Sequence, residues 1–434
     1  MADAPINVAT VVKPQQPSRV RVTLAIILFL TLMVAYLDRV NISVILADPI
    51  FIDEMDLKSN PMAQGLIMSF FLFSYGISNM LLGPIGDWMG PRKAMSLSIL
   101  SWGVAVIFGA MSKSLSFLYV SRVVLGAGEA MHWPMQSTFV KNWFPLKERG
   151  KANAAWVVGL MVGPAIAMPI FATVIGGYGW RASFWLCAIL GFMILPLIWY
   201  MTTDRPEQHK GVNAAELEYI QEGQREEREK QNSGSATEGK FSDNFKLMVK
   251  NGDFWLNAIS YYGTATMWWG VMAWLPQYLK VARGLNWAQM GLLSSLPYAL
   301  GAISVLLVGI VSDRYARRAG FSAVGLAGSA LFIYLGATAQ DNMTSAYFMA
   351  ISVFFLGINI PMSWSILQAI VPGKLVGSAA GLQNGTSQFI AGLAPAIMGY
   401  LIGVTGGYLG GLMYLVAWGT IGAACAAVLA FKKY

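Results

Sequence analysis

The sequence has few charged residues for its length. Asp, Glu, Lys and Arg make up 12% of the 434 residues, whereas hydrophobic residues make up 56% and the mean hydropathy is +0.54. A soluble globular domain carries about 25% charged residues. This shortage excludes a soluble domain of ordinary composition and indicates that most of the chain lies in a lipid bilayer.

Cysteine and histidine are also scarce, with two of each. Cys187 and Cys425 both fall within long apolar runs, where small packing residues are a simpler interpretation than a disulfide or a metal site. The sequence contains neither a His-Glu-x-x-His zinc motif nor a phosphate-binding P-loop. We therefore expect no metal, no cofactor and no catalytic residues, and an enzyme or a membrane sensor is disfavoured.

Long apolar runs dominate the chain instead. A helix needs about 20 apolar residues to cross the hydrocarbon core, and each run is longer than a strand of a membrane barrel, so the runs predict helices. We predict twelve spans at residues 22–46, 62–86, 94–111, 115–140, 152–175, 182–201, 253–279, 288–311, 320–339, 345–370, 376–402 and 408–431. The expected fold class is an all-α membrane protein with twelve transmembrane helices.

The distribution of Lys and Arg predicts the orientation, because cytoplasmic loops carry an excess of both. If both termini are cytoplasmic, five of the 30 Lys and Arg residues lie on the outer side of the membrane: Lys58, Lys113, Arg181, Lys280 and Arg283. The net charge of +8 is then a topological signal, and we assign no nucleic-acid partner. Residues 1–21 are polar and run directly into the first span, which predicts an uncleaved start. The expected location is the cell inner (plasma) membrane, crossed many times.

Short polar motifs recur in the two halves of the chain. Residues 83–93 return as residues 309–318, and Gly150-Lys-Ala152 and Gly176-Gly-Tyr178 return as Gly377-Ser-Ala379 and Gly406-Gly-Tyr408 at nearly the same spacing. Repeated halves of a membrane protein usually indicate a transporter with a shared site at the midplane. The predicted organisation is a cytoplasmic tail (1–21), a six-helix bundle (22–202), a cytoplasmic linker (203–250) and a second six-helix bundle (251–431).

Four ionisable residues lie well inside predicted spans: Asp38 and Arg39 in the first, Arg122 and Glu129 in the fourth. A charge in hydrocarbon is costly, so each should face a partner or a water-filled cavity. Arg122 and Glu129 are seven residues apart and share a helix face, whereas adjacent Asp38 and Arg39 point about 100° apart. One interpretation is a static network that pins two helices through Asp38 and Arg122. The other is proton coupling by Asp38, Glu129 and Arg122, since a carboxyl beside a movable guanidinium can alternate between proton donor and acceptor.

Arg39 is the strongest substrate candidate, because a guanidinium binds a carboxylate through two hydrogen bonds and keeps its charge. The second half has no charge deep in a span. Its polar and aromatic inventory is Gln277, Asn359, Gln368, Gln383, Asn384, Gln388, Tyr261, Tyr262, Trp268, Trp269 and Trp364. Asn384 is best placed, in a polar run inside the eleventh span, and Trp268 and Gln388 are further candidates. A single Trp or Tyr also fits an interfacial belt, and His132 fits packing better than a proton relay.

Residues 83–93, repeated at 309–318, resemble the loop signature of the major facilitator superfamily. The matching residues are Asp87, Gly90, Arg92 and Lys93, whereas Trp88 and Pro91 stand where basic residues are usual. The resemblance covers nearly the whole chain and implies the superfamily's fold of two pseudo-symmetric six-helix bundles. It further implies a conformational switch in which the loop acid docks near a facing helix N-terminus and helps to hold the outward-open state. The switch residues would be Asp87, Arg92, Asp313 and Arg314.

A narrower resemblance is to the anion:cation symporter family, which includes carriers of galactonate, glucarate, hexuronates and vesicular glutamate. It rests on Tyr36-Leu-Asp38-Arg39-Val-Asn41, Arg122 with Gly126 and Glu129, Trp143-Phe-Pro145 with Glu148-Arg149, and residues 209–213 with 216–220. By this resemblance Asp38 and Glu129 are the proton-binding acids and Arg122 is the partner of Asp38. Arg39 is then the carboxylate contact, with Tyr75 and Asn384 as further ligands.

Two departures from that family bear on the substrate. Sugar-acid carriers tend to have Gln where Leu160 stands, and an Asn-Arg pair where residues 135–137 read Met-Gln-Ser. Fewer groups that bind hydroxyls remain, so we expect a small organic anion, with sugar acids and aromatic or short aliphatic monocarboxylates all open. The expected function is import of that anion by proton symport through alternating access, in a monomer. An exchanger or exporter of the same superfamily is the alternative.

Overall fold

The protein is described by a computed structural model over residues 16–233, 248–312, 318–371 and 376–432. Within those ranges it describes only the backbone at residues 80, 83–87, 146, 226–233, 309–312 and 376–378. The regular structure of the described residues is helical, with no strand among them.

Helices of the first half follow the predicted spans closely. They are α1 (Val20–Ile45), α2 (Pro49–Glu54), α3 (Pro61–Met89), α4 (Pro91–Ala110), α5 (Leu115–Glu129), α6 (His132–Trp143), α7 (Leu146–Val157), α8 (Gly159–Tyr178), α9 (Trp180–Met201) and α10 (Ala214–Ser233). The fourth and fifth predicted spans are each divided, into α5 and α6 and into α7 and α8. The last helix, α10, lies in the predicted linker.

The break between α5 and α6 has a local cause. Pro134 has no backbone N–H and cannot donate to the carbonyl of Ala130, as a helical residue at that position would. The side-chain amide of Asn79 donates to the Ala130 carbonyl at 2.9 Å instead, so the acceptor is satisfied from α3. Glu129 is therefore the last residue of α5 and lies directly before the break.

Helices of the second half repeat the pattern of long spans. They are α11 (Gly252–Gln277), which a π-helical turn continues over Tyr278–Ala282, then α12 (Trp287–Ser312), α13 (Arg318–Thr338), α14 (Asn342–Ile370), α15 (Val376–Thr405) and α16 (Tyr408–Phe431). The order of elements matches the predicted second bundle.

Nine helical segments of the described residues are long and apolar enough to cross a membrane. The other three predicted spans correspond to α3, to the pair α5 and α6, and to α11. The helices α5 and α6 have 15 and 12 residues, so neither is long enough alone. Most of α11 is buried against other helices, and its polar residues such as Asn257 and Thr264 face protein. A helix shielded in this way can be less apolar than one that faces lipid.

The two ends of the helical bundle differ, and we name them by their connections. The loop end carries residues 46–60 and 283–286, and the linker end carries residues 16–19 and 202–213. At the loop end the two halves meet backbone to backbone. A Cβ added to Gly65 of α3 would lie 2.0 Å from the carbonyl oxygen of Pro395 in α15.

Two further contacts of this kind close the loop end. A Cβ on Gly399 of α15 would lie 2.2 Å from the carbonyl oxygen of Pro61, and one on Gly291 of α12 would lie 2.5 Å from the Cβ of Ala172 in α8. Only glycine permits such an approach of helices. Beside these contacts, the buried Gln277 side chain donates from Nε2 to Oε1 of Gln64 at 2.8 Å. The two halves are thus joined by packing and by a hydrogen bond.

Polar contacts at the linker end join α10 to the first half. The buried carboxylate of Glu216 accepts from the hydroxyl of Ser18 at 2.5 Å and from the guanidinium of Arg21 at 2.9 Å. Arg21 also donates to Glu148 at 3.1 Å. The hydroxyl of Tyr219 donates to the same Glu148 carboxylate at 2.9 Å, and this bond raises the pKa of Tyr219. The start of α1 with Ser18 before it, the first turn of α7 and the helix α10 are therefore joined by polar contacts.

Candidate functional site

The four ionisable residues of the first and fourth predicted spans lie together in the middle of the first half. Arg39 of α1 donates from Nε to Oε2 of Glu129, the last residue of α5, at 2.7 Å. Arg39 is 3% exposed and Glu129 is fully buried. A charge-assisted hydrogen bond at this distance is strong, and burial protects it from screening by salt. The pair is the closest contact between acid and base at the site.

Asp38 and Arg122 do not form the direct pair expected from the sequence. Within the described part of the chain, the buried carboxylate of Asp38 and the buried terminal nitrogens of Arg122 form no hydrogen bond to a nitrogen or oxygen atom. The thiol of Cys187 lies beside Asp38 at hydrogen-bonding range. The two groups are near enough to interact electrostatically. Arg122 instead donates from Nε to the carbonyl of Ile67 in α3, at the long distance of 3.4 Å. In this structure, therefore, Glu129 forms an ion pair with Arg39, and Asp38 and Arg122 do not form one with each other.

Aromatic rings surround the Arg39 guanidinium. Its central carbon lies 4.5 Å from the ring centre of Tyr36, 4.7 Å from that of Tyr75 and 5.5 Å from that of Phe71. The rings of Phe71 and Tyr75 are stacked, with centres 6.0 Å apart. Faces of aromatic rings attract cations and stack on planar guanidinium groups. These contacts fix the plane of Arg39, and they place the predicted ligand Tyr75 directly beside it.

The cluster of two acids and two bases has a simple charge balance. With all four groups ionised, Asp38 and Glu129 offset Arg39 and Arg122. An entering monovalent anion adds one negative charge to a buried site, and an uncompensated buried charge is strongly unfavourable. One added proton on either carboxylate restores the balance. The arrangement can therefore link the binding of an anion to the uptake of a proton.

Side chains of the second half complete the candidate site. Tyr261 of α11 and Tyr298 of α12 are near enough to Tyr36 of α1 to interact with it electrostatically. Trp268 is half-buried and packs edge-on against Tyr298, with ring centres 5.8 Å apart. Since Tyr261 and Trp268 are seven residues apart, they share one face of α11, and the ring of Tyr298 joins that face to the first half.

Asn384 and Gln388 lie one turn apart on α15. Asn384 is half-buried, and its side chain makes no hydrogen bond to any described residue. Gln388 accepts from the indole N–H of Trp269 at 3.2 Å, which leaves its own N–H groups available. Its Cβ lies close to Gly76 of α3, at the junction of the two halves. Both amides can donate to a bound anion, and their roles as ligands stay predictions.

Three other amide side chains that the sequence offered as candidates form hydrogen bonds away from the cluster. Asn359 bonds to Ser322 and Thr264 inside the second half. Gln383 bonds to Asn257 and Ser363, also inside that half. Gln277 bonds to Gln64 at the loop end. These side chains join helices and are separate from the cluster around Arg39.

Two further residues, His132 and Cys187, lie near the acids. His132 packs edge-on against Trp102 with ring centres 5.4 Å apart, and its Nε2 lies 3.3 Å from the amide nitrogen of Gln136. That amide also donates to the carbonyl of Leu28 at 2.9 Å, so the histidine is packed as expected. Cys187 of α9 is buried beside Asp38 and interacts with it electrostatically. Proximity of this kind depends on the rotation of α9, which no sequence pattern gives.

Of the four proposed switch residues, only Arg92 has a described side chain. Arg92 stacks on Trp199 at 4.9 Å, and its backbone N–H donates to Asp204 at 2.8 Å. Asp204 therefore provides a carboxylate at the N-terminus of α4, which the helix dipole favours. The side chain of Asp87 and the residues Asp313 and Arg314 lie outside the described part of the chain, and the switch stays a prediction.

Groups of His, Cys, Asp or Glu with the geometry of a metal site do not occur in the described ranges. The two cysteines, Cys187 and Cys425, are both free thiols.

Comparison with known proteins gives the family. The family model of the Major Facilitator Superfamily matches residues 28–395. The chain is 33% identical to the probable sulfoacetate transporter SauU of Cupriavidus necator, over 88% of this chain and 87% of that protein. It is 28% identical to the D-galactonate transporter of Escherichia coli, over 97% and 96%. These relatives are transporters by name.

Solved structures show the same fold at low sequence identity. A bacterial homologue of the human lysosomal transporter Spinster, in an inward-facing and occupied conformation, matches with a TM-score of 0.75 at 18% identity, covering 96% of this chain and 98% of that one. The D-xylose–proton symporter matches with a TM-score of 0.71 at 14% identity, covering 94% and 97%. The expected fold of two six-helix bundles is thereby confirmed.

Proposed function

The chain belongs to the major facilitator superfamily, and from that membership we propose that it is a secondary active transporter that imports a small organic anion together with protons. The observation that carries this proposal is the buried ion pair of Arg39 and Glu129, with nitrogen and oxygen 2.7 Å apart. Arg39 can bind a carboxylate, and Glu129 can take up a proton. Because the two are in direct contact, substrate binding at Arg39 changes proton binding at Glu129, and the reverse.

The mechanism follows from competition for one guanidinium. A substrate carboxylate binds Arg39 by displacing Glu129, and the displaced carboxylate would be a buried charge without a partner. A proton on Glu129 removes that cost. Substrate and proton therefore favour each other's binding, as linkage requires. At least one proton accompanies each monovalent anion if the cluster keeps its charge balance.

The substrate class is that of small organic acids. Arg39 supplies the site for the carboxylate, while Asn384, Gln388 and the aromatic face of Tyr261 and Trp268 supply amide donors and flat apolar surface for the rest of the molecule. Two relatives carry small organic anions by name, one for sulfoacetate and one for D-galactonate. Sulfonates and sugar acids are accordingly the first compounds to test.

Alternating access would use the two ends of the bundle in turn. The loop end is closed in this structure by the contacts of Gly65 and Gly399 and by the bond between Gln277 and Gln64. The excess of Lys and Arg assigns the linker end to the cytoplasm. The proposed orientation therefore has both termini in the cytoplasm, in a monomer in the inner membrane, with the closed loop end on the opposite side.

The test is uptake of labelled acids into proteoliposomes of the purified protein. A panel with sulfoacetate, D-galactonate, a hexuronate and an aromatic carboxylate is supplied outside, with the lumen alkaline. We expect accumulation of at least one acid that collapses when a protonophore is added, and no accumulation by Arg39→Lys. Uptake that requires an internal anion and ignores the pH gradient would identify an exchanger and overturn proton symport.

A further inference from the structure

Two buried guanidinium groups share one aromatic ring. The ring centre of Phe71, in α3, lies 5.5 Å from the central carbon of Arg39 and 5.0 Å from that of Arg122. Phe71 is fully buried. A phenyl ring attracts a cation through the negative potential of its face, and the attraction grows when water is excluded. One side chain without a polar atom therefore contacts both bases of the cluster.

Arg122 is held by few hydrogen bonds. Its terminal nitrogens have no hydrogen-bond partner among the described residues, and its Nε reaches the carbonyl of Ile67 only at 3.4 Å. Asp38, the acid expected to pair with it, has the Cys187 thiol beside it but no nitrogen donor among the described residues. A deprotonated Asp38 would attract Arg122 strongly at this depth. The position of Arg122 on the ring is the arrangement expected when Asp38 carries a proton.

Three charged or titratable groups of the packed helices interact with both Asp38 and Arg122: Arg39 from α1, Glu129 from α5 and Cys187 from α9. Tyr36, Tyr75 and His132 interact with Arg39 instead. Glu129 accepts from Arg39 through Oε2 alone, and its charge acts on Arg122 together with that of Asp38. The ring of Phe71 opposes both acids in holding Arg122.

We propose that Phe71 is a positioning residue for proton coupling: its ring holds Arg122 away from Asp38 in the protonated state and releases it when Asp38 loses its proton. This inference rests on the proposed proton symport. The same ring also contacts Arg39. Phe71 therefore lies between Arg39, the proposed substrate-binding group, and Arg122, which moves when Asp38 loses its proton. If the ring attracts Arg122 less strongly, the pair of Arg122 with ionised Asp38 becomes more favourable. A higher proton concentration is then needed to protonate Asp38.

The test weakens the ring face without removing the ring. Phe71 is replaced by mono-, di- and trifluorinated phenylalanine through suppression of a stop codon, because fluorine withdraws charge from the face at nearly constant shape. The readout is the pH at half-maximal uptake in proteoliposomes. We expect this pH to move stepwise to more acidic values, with the trifluorinated protein needing about three- to thirty-fold more protons. Because the ring also contacts Arg39, each pH is measured at saturating substrate, so that a change in substrate affinity does not move the midpoint.

Phe70 provides a matched control. It precedes Phe71 in α3, and its ring packs on Tyr119 with centres 4.8 Å apart, with no cation contact recorded within the described ranges. Fluorination there should leave the pH midpoint in place. An unshifted midpoint in the Phe71 series, with wild-type uptake still dependent on pH, would overturn this inference and reduce Phe71 to packing. Wild-type uptake that ignores pH would overturn the proposed symport and this inference with it.

Discussion

Replacement of Glu129 by glutamine separates the binding of substrate from the uptake of a proton. In the wild type a substrate carboxylate must displace a charged partner from Arg39, with which Glu129 is in contact at 2.7 Å. In Glu129→Gln it displaces a neutral amide. A hydrogen bond to a charged group contributes about 1.5–3 kcal/mol and a neutral one about 0.5–1.5 kcal/mol. The midpoints of these ranges differ by about 1.25 kcal/mol, which makes binding about eightfold tighter in the variant at neutral pH.

The pH dependence of binding should also change. At acidic pH the wild-type Glu129 is protonated when substrate binds, so wild type and variant bind alike. As the pH rises the wild type loses affinity, whereas the amide cannot lose a proton and the variant keeps its affinity. Titration calorimetry on purified protein at acidic and neutral pH measures both effects.

Transport by Glu129→Gln should fail in a specific way. Counterflow of labelled substrate needs no net proton movement and should persist, whereas accumulation driven by a pH gradient should disappear. Glu54→Gln is a matched control, because Glu54 forms an ion pair with Arg181 at the same 2.7 Å but both side chains are partly exposed at the loop end. Accumulation by Glu129→Gln at the wild-type rate would refute the role of Glu129 in coupling.

Four further substitutions test other parts of the site and the fold. Arg39→Lys should abolish binding in a folded protein, since an ammonium keeps the charge but loses the two-bond geometry; wild-type affinity by calorimetry would exclude Arg39 from the site. Asn384→Ala should weaken binding by about 1–3 kcal/mol, and equal affinity would leave Asn384 a packing role. Gln277→Ala should raise labelling of a cysteine placed at Ile402, in a background without native cysteines, whereas unchanged labelling would mean that helix packing alone closes the loop end. Glu216→Ala should lower the melting temperature in detergent well below that of the exposed control Glu218→Ala, and similar values would show that the buried carboxylate adds little.

Much of the fold follows from local patterns in the sequence. Apolar runs near 20 residues predict the helices, and the spacing of Arg122 and Glu129 predicts a shared face of one span. Pro134 signals the helix break at Ala130, but the predicted span runs through it. A long run of hydrophobic residues predicts one span even where a single residue, here Pro134, lacks a backbone N–H. The capping of α4 by Asp204 likewise depends on two segments far apart in the chain.

The pairing of acids and bases was beyond what the sequence can predict. Periodicity gives the directions of Asp38 and Arg39 relative to α1, but it does not give the rotation of α1 against α5. That rotation brings Arg39 to Glu129 and leaves Asp38 and Arg122 apart. Polar residues raise the same difficulty, since Asn359 and Asn384 look alike in sequence although only Asn359 is used in a network between helices.

Proton movement during transport is the most direct measurement of the proposed symport. Purified protein in proteoliposomes with a weakly buffered exterior and no pH gradient is given substrate, and an external pH indicator records the response together with labelled uptake. We predict an alkaline shift of the exterior with at least one proton per monovalent anion, as the charge balance of Asp38, Glu129, Arg39 and Arg122 requires. Glu129→Gln should give no shift. Uptake without proton movement, or uptake that follows a sodium gradient instead, would contradict coupling through the ion pair of Arg39 and Glu129.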